Sequence, residues 1–240
     1  MNILFMLPAR SGSKGVKDKN IKLLDGKPLM YYAINAIMSS NTYKKHNCYL
    51  FVNTDSEKYA EIAKECGAKV PFLRKKELAG DESPVTETIK DTYSYFEDEE
   101  RKVFDIFSMI QVTSPLIDSE DIDRAIQFFE EDYNLESISS VTESEVMPLW
   151  CNTLSDDFNL KNFISAELRK KNRQDLPKYY RLTGAIRAAR WDAFKKNQFD
   201  WFSGKCKAYE MSNYHSVDID TQLDFEYAEF LIKSPANKCQ

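Results

Sequence analysis

The sequence is poor in the residue on which many nucleophilic enzymes depend. It contains only two histidines, His46 and His215, among 240 residues. A Ser–His or Cys–His nucleophile needs a histidine as its general base, so catalysis of that kind is disfavoured. His46 lies in a polar connection, and a lone histidine such as His215 is more often a surface or packing residue. We therefore expect the chemistry to depend on other side chains.

The cysteines form no recognisable pair. There are five of them, scattered along the chain, and no two are arranged as C-x-x-C. This excludes the usual signatures of a zinc ribbon and of a dithiol redox site. A disulfide framework is also improbable, which favours a reducing compartment.

Long apolar runs and a strong charge imbalance are lacking as well. No run approaches the roughly 18 residues needed to span a bilayer. The first run, residues 3–7, is short and has no basic residue ahead of it, which fits a first strand and not a signal peptide. The 33 basic and 38 acidic residues give a net charge of −5, which argues against binding to nucleic acid or an anionic membrane. We expect a cytoplasmic protein.

The segment 7–20, LPARSGSKGVKDKN, is the most informative part of the chain. It follows an apolar run of strand length and contains two glycines, which allow backbone N–H groups to approach an anion closely. The spacing matches neither GxxxxGK[ST] nor GxGxxG. Composition alone favours a phosphate-binding loop over a solvated basic surface loop. Its four cations are Arg10, Lys14, Lys17 and Lys19.

Apolar runs alternate with helical patterns over the first half of the chain. Strands are predicted near 2–7, 48–53, 68–73 and 104–111, and helices near 28–39, 56–66, 84–97 and 119–131. This rhythm predicts an α/β fold with a doubly wound, mostly parallel sheet. Ligands bind at the carboxyl ends of such strands, where the first loop and the segment 111–115 would emerge.

Residues 136–186 break this rhythm. Short β-like pieces at 138–142 and 147–151 and a polar stretch predict an inserted element between the core regions 1–135 and 187–240. Strands at TGAIRAAR and 206–211 and a short helix at 191–196 follow it. The last helix, 221–233, is predicted to present one apolar face formed by Leu223, Tyr227, Phe230 and Leu231.

Two carboxylates stand two residues apart just before the last helix. In an extended segment Asp218 and Asp220 point the same way, and paired carboxylates suit Mg²⁺. A purely structural explanation is equally good, because Asp220 or Thr221 could cap the helix. Thr221 and Asp224 have the spacing of a capping box.

Five segments together resemble the acylneuraminate cytidylyltransferases, the CMP-sialic acid synthetase family that includes CMP-legionaminic and CMP-pseudaminic acid synthetases. They are ARSGSKGVKDKNIKLLDGKPL (9–29), RKKELAGDES (74–83), QVTSPL (111–116), LPKYYRLTGAI (176–186) and VDIDTQLD (217–224). The resemblance implies a Rossmann-like nucleotidyltransferase core that transfers CMP from CTP to a nonulosonic acid. It also implies a homodimer in which the inserted element completes the partner's active site.

The resemblance assigns roles by position in these motifs. It implies phosphate contacts and catalysis for Arg10, Lys14 and Lys19; nucleotide binding for Ser13, Asn20, Arg74, Asp81 and Ser83; sugar binding for Gln111, Arg173 and Arg181; and Mg²⁺ binding for Asp218 and Asp220. Of these residues, Arg173 and Arg181 would hold the carboxylate of the sugar acid.

The chain departs from the family pattern at four positions: Val112, Ile117, Trp150 and Thr183. Trp150 and Thr183 belong to the sugar-facing region, so N-acetylneuraminic, legionaminic and pseudaminic acids all stay open as acceptors. Two other functions fit parts of this pattern. A glycosyltransferase would not need a lysine-rich first loop, because its donor lacks a triphosphate. A non-catalytic nucleotide sensor would be indicated by loss of Lys19 or of an aspartate, and all are present.

Overall fold

The computed structural model describes residues 1–13 and 15–234. Within these ranges no helix is both long and apolar enough to cross a membrane. The strands are β1 (Asn2–Pro8), β2 (Leu23–Leu24), β3 (Lys27–Pro28), β4 (Asn47–Asn53), β5 (Ile106–Ile110), β6 (Ser137–Glu143), β7 (Tyr180–Arg190) and β8 (Cys206–Glu210). The α-helices are α1 (Leu29–Ser39), α2 (Asn41–Lys45), α3 (Glu57–Glu65), α4 (Val85–Ser94), α5 (Ser119–Glu131), α6 (Trp191–Lys196) and α7 (Gln222–Lys233).

Six strands form one sheet in the order β4-β1-β5-β7-β6-β8, and β2 and β3 form a small separate ribbon. β4, β1 and β5 are parallel, and β8 runs parallel to β6. β7 is antiparallel to both of its neighbours, β5 and β6. The prediction of a doubly wound α/β fold with a mostly parallel sheet is confirmed, with β7 as the reversed strand.

Helices cover both faces of the sheet. β1 is buried from Ile3 to Leu7, and its alternate side chains enter two different cores. Ile3, Phe5 and Leu7 pack with residues of α1, α3, α5 and α7. Leu4 and Met6 pack with α4, α6 and a group of aromatic rings. A strand buried on both sides reads as an unbroken apolar run, which is how β1 appears in the sequence.

Two of the predicted strands do not form. Around 68–73 the structure has only an isolated bridge between Phe51 and Lys69. Gly67 has a left-handed φ of 98°, and Pro71 lacks the N–H that a ladder needs, so pairing stops there. The stretch 147–151 forms a single 3₁₀ turn at Pro148–Trp150.

Two strands of the sheet lie wholly or partly inside the predicted inserted element, residues 136–186. β6 and the first part of β7 are integral strands of the sheet, although both fall inside 136–186. The residues between these strands, 144–179, contain only turns and short 3₁₀ segments. We therefore place the boundaries of a separate element at 144–179, as a proposal.

The predicted apolar face of α7 is wrong in three of its four residues. Leu223, Tyr227 and Phe230 are exposed, and only Leu231 is buried. The buried stripe consists of Phe225, Ala228 and Leu231. The helix has apolar residues on both sides, so its periodicity did not determine which side faces the sheet.

Candidate functional site

A cavity of about 380 Å³ lies at the carboxyl ends of β1 and β5. Its walls come from the loop after β1, the segment before and within α4, the end of β5, and the segment that precedes α7. Nine of the predicted site residues line it: Arg10, Ser13, Lys19, Asn20, Arg74, Asp81, Ser83, Gln111 and Asp220. Lys14 lies outside the described residues.

The glycine-containing loop after β1 is held by the neighbouring strand and helix. Asp55, just past β4, accepts hydrogen bonds from the backbone N of Ser11 at 2.7 Å and from its Oγ at 2.5 Å. Burial alone would raise the pKa of Asp55, but these bonds outweigh it and lower the pKa. Further along, the Tyr59 hydroxyl donates to Asp18, which has a left-handed φ of 52°. The sequence motifs do not indicate roles for Asp55 and Tyr59. The polar N-T-D that directly follows a buried strand is a signal that could have indicated Asp55.

Arg74 is a buried cation in the cavity wall. It is only 7% exposed, and its guanidinium donates to the side-chain oxygen of Asn53 at 2.5 Å and to the Asn53 carbonyl at 2.9 Å. Burial lowers its pKa to about 10, so it keeps its charge at neutral pH. Opposite it, Arg10 pairs with Asp81 at 2.7 Å. Asn20 donates to the carbonyl of Arg10 at 3.0 Å and thereby shapes the loop.

The loop is fastened to the D-x-D segment. Nζ of Lys19 lies 2.5 Å from the carbonyl oxygen of Ile219 and 3.0 Å from Oδ1 of Asp220. Gly15 packs directly on the carbonyl of Asp220, and a Cβ at this position would collide with that oxygen. The first loop therefore contacts the D-x-D segment directly, through Lys19 and Gly15.

The two carboxylates of the D-x-D have the predicted alternation. Ile219 is fully buried between them, whereas Asp218 and Asp220 reach solvent. The backbone N of Ile219 bonds to the carbonyl of Thr113 at 2.9 Å, which ties the segment to the end of β5. Partial loss of solvation by the surrounding chain raises the pKa of Asp218. The negative charge of Asp220 raises this pKa further.

Helix capping does not explain Asp220. The N-cap of α7 is Thr221, whose side chain accepts from the N–H of Asp224 in a complete capping box. The side chain of Asp220 contacts Lys19 instead. Two accessible carboxylates beside a cation-lined cavity are a donor set that suits hard Mg²⁺.

A second group of possible metal ligands was not predicted. Asp118, Asp121 and His215 bring one ligand atom each within 4.8 Å of one another. Asp121 is already engaged, because it accepts from Nδ1 of His215 at 2.7 Å and from the Tyr209 hydroxyl at 2.7 Å. The hydrogen bond to Asp121 raises the pKa of His215. This group anchors the segment before the D-x-D to the start of α5.

The predicted sugar-binding residues are not all brought together. Gln111 lines the main cavity, while Arg181 and Asp218 line a neighbouring one of about 570 Å³. Arg181 pairs with Glu145 at 3.2 Å. Arg173 is exposed, lines neither cavity and donates to the carbonyl of Glu145 at 3.3 Å. Thr183 is buried and bonded to Ser140.

Comparisons with known proteins agree with this geometry. The family model described as "Cytidylyltransferase" matches residues 4–238. An N-acylneuraminate cytidylyltransferase of Streptococcus agalactiae is 34% identical over 99% of this chain, and the match covers 56% of that protein. The chain thus spans little more than half the length of this relative. A CMP-N,N'-diacetyllegionaminic acid synthase of Legionella pneumophila is 33% identical, with 97% of each chain covered.

A solved structure supports the fold. The chain resembles a CMP:2-keto-3-deoxy-manno-octonic acid synthetase complexed with CTP, with a TM-score of 0.69 and 15% sequence identity. The match covers 97% of this chain and 98% of that one.

The contact between Gly15 and the D-x-D segment gives a first prediction. Gly15→Ala should lower the free energy of unfolding by about 1–3 kcal/mol, because the added methyl group must displace backbone. Urea denaturation measures the change. Gly80→Ala is the matched control, since its Cβ would meet only the rotatable Ser83 hydroxyl, at 3.2 Å. Equal stability of the two variants would contradict the close approach.

Proposed function

The chain belongs to the cytidylyltransferase family, and on that premise we propose that it transfers CMP from CTP to a nonulosonic acid and releases pyrophosphate. One observation carries the proposal. Arg10 and Lys19 of the first loop, the buried Arg74 and Asp220 all line one cavity at the carboxyl edge of the sheet. Incubation with CTP, Mg²⁺ and a panel of nonulosonic acids, with measurement of pyrophosphate, tests it.

The proposed reaction is attack of a sugar hydroxyl on the α-phosphorus of CTP. Negative charge then builds up on the non-bridging and leaving oxygens, so fixed cations are the natural catalysts. Arg10 and Lys19 are in place to receive the phosphates, and Lys14 has the same role by its motif position. Arg74, Asp81 and Ser83 lie further along the cavity, where they would hold cytidine and its ribose, with Ser13 and Asn20 shaping the loop.

Gln111 would orient the acceptor. It follows the last residue of β5 and lines the main cavity, whereas Arg74 is bonded to β4 on the other side of β1. The amide of Gln111 can both donate hydrogen bonds to a sugar and accept them from it. Asp218 and Asp220 would hold Mg²⁺. When bound, this ion neutralises phosphate charge.

The rival functions have less support. A nucleotide-sugar donor has a diphosphate and would leave part of the cationic loop without a role. A sensor without catalysis would not need to keep Lys19 and both aspartates of the D-x-D. The cysteines of the described chain are unpaired. This supports our proposal of a cytoplasmic location.

We also propose a homodimer with shared active sites. The segment 144–179 is irregular and exposes apolar side chains that a second subunit would cover. These are Val146, Leu154, Phe158 and Leu160. The same segment holds Arg173, which finds no partner side chain for its guanidinium among the described residues and is free to reach a neighbouring site.

The second prediction concerns Lys19. Lys19→Ala should reduce the rate of pyrophosphate release by about 100- to 1,000-fold, because it removes a cation aimed at developing phosphate charge. Circular dichroism should show an unchanged fold. Lys22→Ala is the control: this neighbouring lysine contacts only Gln222 and the ring of Phe225. Turnover within a few-fold of wild type in Lys19→Ala would refute a catalytic role.

The third prediction separates metal binding from packing. Asp218→Asn and Asp220→Asn should each raise the Mg²⁺ concentration needed for half-maximal rate and lower the maximal rate, since an amide is a poorer ligand for a hard cation. Both proteins should unfold at temperatures close to wild type, because neither residue caps α7. Unaltered Mg²⁺ dependence in both variants would contradict the metal role.

The fourth prediction tests the shared site. Arg173→Ala should raise KM for the sugar acid far more than KM for CTP, because the arginine is expected to hold the acceptor's carboxylate. Mixing this variant with Lys19→Ala protein and re-forming dimers should restore part of the activity. Each hybrid dimer would contain one site with both residues intact. Absence of recovery after verified subunit exchange, or a fully active monomer, would refute sharing.

A further inference from the structure

The start of the first loop, residues 11–13, has a single anchor among the described residues. Asp55 accepts a hydrogen bond from the backbone N of Ser11 at 2.7 Å and another from its Oγ at 2.5 Å. Residues 11–13 make no other hydrogen bond to the part of the chain that the structure describes. Gly12 has a left-handed φ of 76°, and a Cβ there would meet nothing within 4 Å. Packing therefore adds little to the hold of Asp55 on this stretch.

This stretch joins two residues of the main cavity. Arg10 and Ser13 both line it, whereas Ser11 and Asp55 do not. Asp55 can therefore influence a bound molecule only through the backbone that Ser11 shares with its neighbours. Charge on a phosphate is stabilised best by groups whose positions are fixed before the reaction begins. The hold on Ser11 is thus a condition for the placement of Arg10 and Ser13.

Asp55 itself stands on a rigid base. It lies two residues past the end of β4, and the two residues between, Asn53 and Thr54, are fully buried. The carbonyl of Asn53 accepts from the backbone N of Ala9 at 2.9 Å, and the carbonyl of Thr54 accepts from that of Arg74 at 2.7 Å. The carboxylate is therefore connected to the sheet and to the cavity wall that carries Arg74.

The Asp55 carboxylate has two properties, its position and its charge. Burial lowers the pKa of Arg74, and the negative charge of Asp55 works against this effect. The guanidinium of Arg74, however, donates to Asn53. Both oxygens of the Asp55 carboxylate accept from Ser11. The direct contacts therefore favour a role for Asp55 as a fixed acceptor over a role as the counter-charge of Arg74.

We propose that Asp55 is a positioning residue for the transfer reaction. It fixes the backbone of residues 11–13 through Ser11, so that Arg10 and Ser13 meet the phosphates of CTP in one arrangement. This inference rests on the proposed function. The role is geometric, because it requires two acceptor atoms at fixed positions and not a negative charge.

Two variants separate geometry from charge. Asp55→Asn removes the charge but keeps the size of the side chain, and its amide can accept from the backbone N of Ser11 and donate to its Oγ. Asp55→Glu keeps the charge and displaces the carboxylate by one methylene group. We expect Asp55→Asn to keep kcat within about three-fold of wild type and Asp55→Glu to lower it about 10- to 100-fold, because small displacements of fixed groups are costly.

The same two variants should differ in CTP binding. Calorimetry should show the Kd for CTP rising about five-fold or more in Asp55→Glu and little in Asp55→Asn, because a loop that must be ordered on binding costs affinity. KM for the sugar acid should stay within about two-fold in both, since its expected partner Gln111 belongs to another part of the cavity wall. The opposite order, with Asp55→Glu active and Asp55→Asn impaired, would assign Asp55 to charge balance and overturn the proposal.

Asp123 offers a matched control for a purely structural role. It lies on α5 and accepts hydrogen bonds from the backbone N of Asn41 at 3.1 Å and of Thr42 at 2.6 Å, at the start of α2 and outside the main cavity. Asp55→Ala and Asp123→Ala should both lower the melting temperature, because each removes acceptors of backbone donors. Only Asp55→Ala should lower kcat. Equal kcat values in these two variants would overturn the positioning role.

A double-mutant cycle tests whether Asp55 acts through Ser11. Ser11→Ala removes one of the two hydrogen bonds and should lower kcat about two- to five-fold in the wild-type background. In the Asp55→Ala background the same change should have no further effect, because its partner is already absent. A full additional loss would show that the two residues act independently and would overturn the proposal. If Asp55→Ala does not fold, the Asp55→Asn and Asp55→Glu variants decide.

Failure of the proposed function has a different signature. Wild-type protein that binds CTP but releases no pyrophosphate with any acid of the panel would refute the transfer reaction. The order of the Kd values for CTP would then decide on Asp55 separately. An active wild type whose Asp55→Asn and Asp55→Glu variants are equally active would refute the positioning role alone.

Discussion

The contact of Lys19 with the D-x-D segment is the constraint on which the site depends. Lys19 follows the first strand and Asp220 precedes the last helix, yet the ammonium group touches both the Asp220 carboxylate and the Ile219 carbonyl. One side chain thereby sets the distance between the first loop and the D-x-D segment. The tight packing of Gly15 on the Asp220 carbonyl leaves that distance little freedom.

The parallel strands make this contact possible. β1, β4 and β5 deliver their following loops to the same edge of the sheet, and the bond from Ile219 to Thr113 brings the D-x-D segment to that edge. The loop itself is held from the side by Asp55 and Tyr59. Arg10 and Lys19 therefore sit on a backbone that is held at several points, which is the condition for stabilising charge without reorganisation.

Much of this arrangement could be predicted from sequence. Three local patterns in the sequence appear in the structure. They are the unbroken apolar run of β1, the helix at 119–131, and the alternation of exposed aspartates with the buried Ile219. Nine predicted residues line the cavity. Several of their motifs follow the carboxyl ends of parallel strands, and these ends lie at one edge of the sheet. The roles assigned to those residues stay predictions.

Other features depend on contacts that no local pattern records. The buried face of α7 is chosen by the sheet beneath it, since Phe225 and Tyr227 are equally apolar in sequence. β6 and the first part of β7 fall inside the predicted insertion, residues 136–186, because the chain there breaks the alternation of strands and helices. The link between Asp55 and Ser11 joins two polar residues that are unremarkable in isolation.

The distance along the chain between Lys19 and Asp220 also has a consequence for biosynthesis. A chain emerging from the ribosome folds from its N-terminal end, and long-range contacts form last. The first loop is made early, but its partner carboxylate appears only when α7 is about to be synthesised. A nascent chain therefore carries Lys19 without its carboxylate partner throughout most of its translation. The completed cavity at the carboxyl ends of β1 and β5 is among the last parts of the molecule to form.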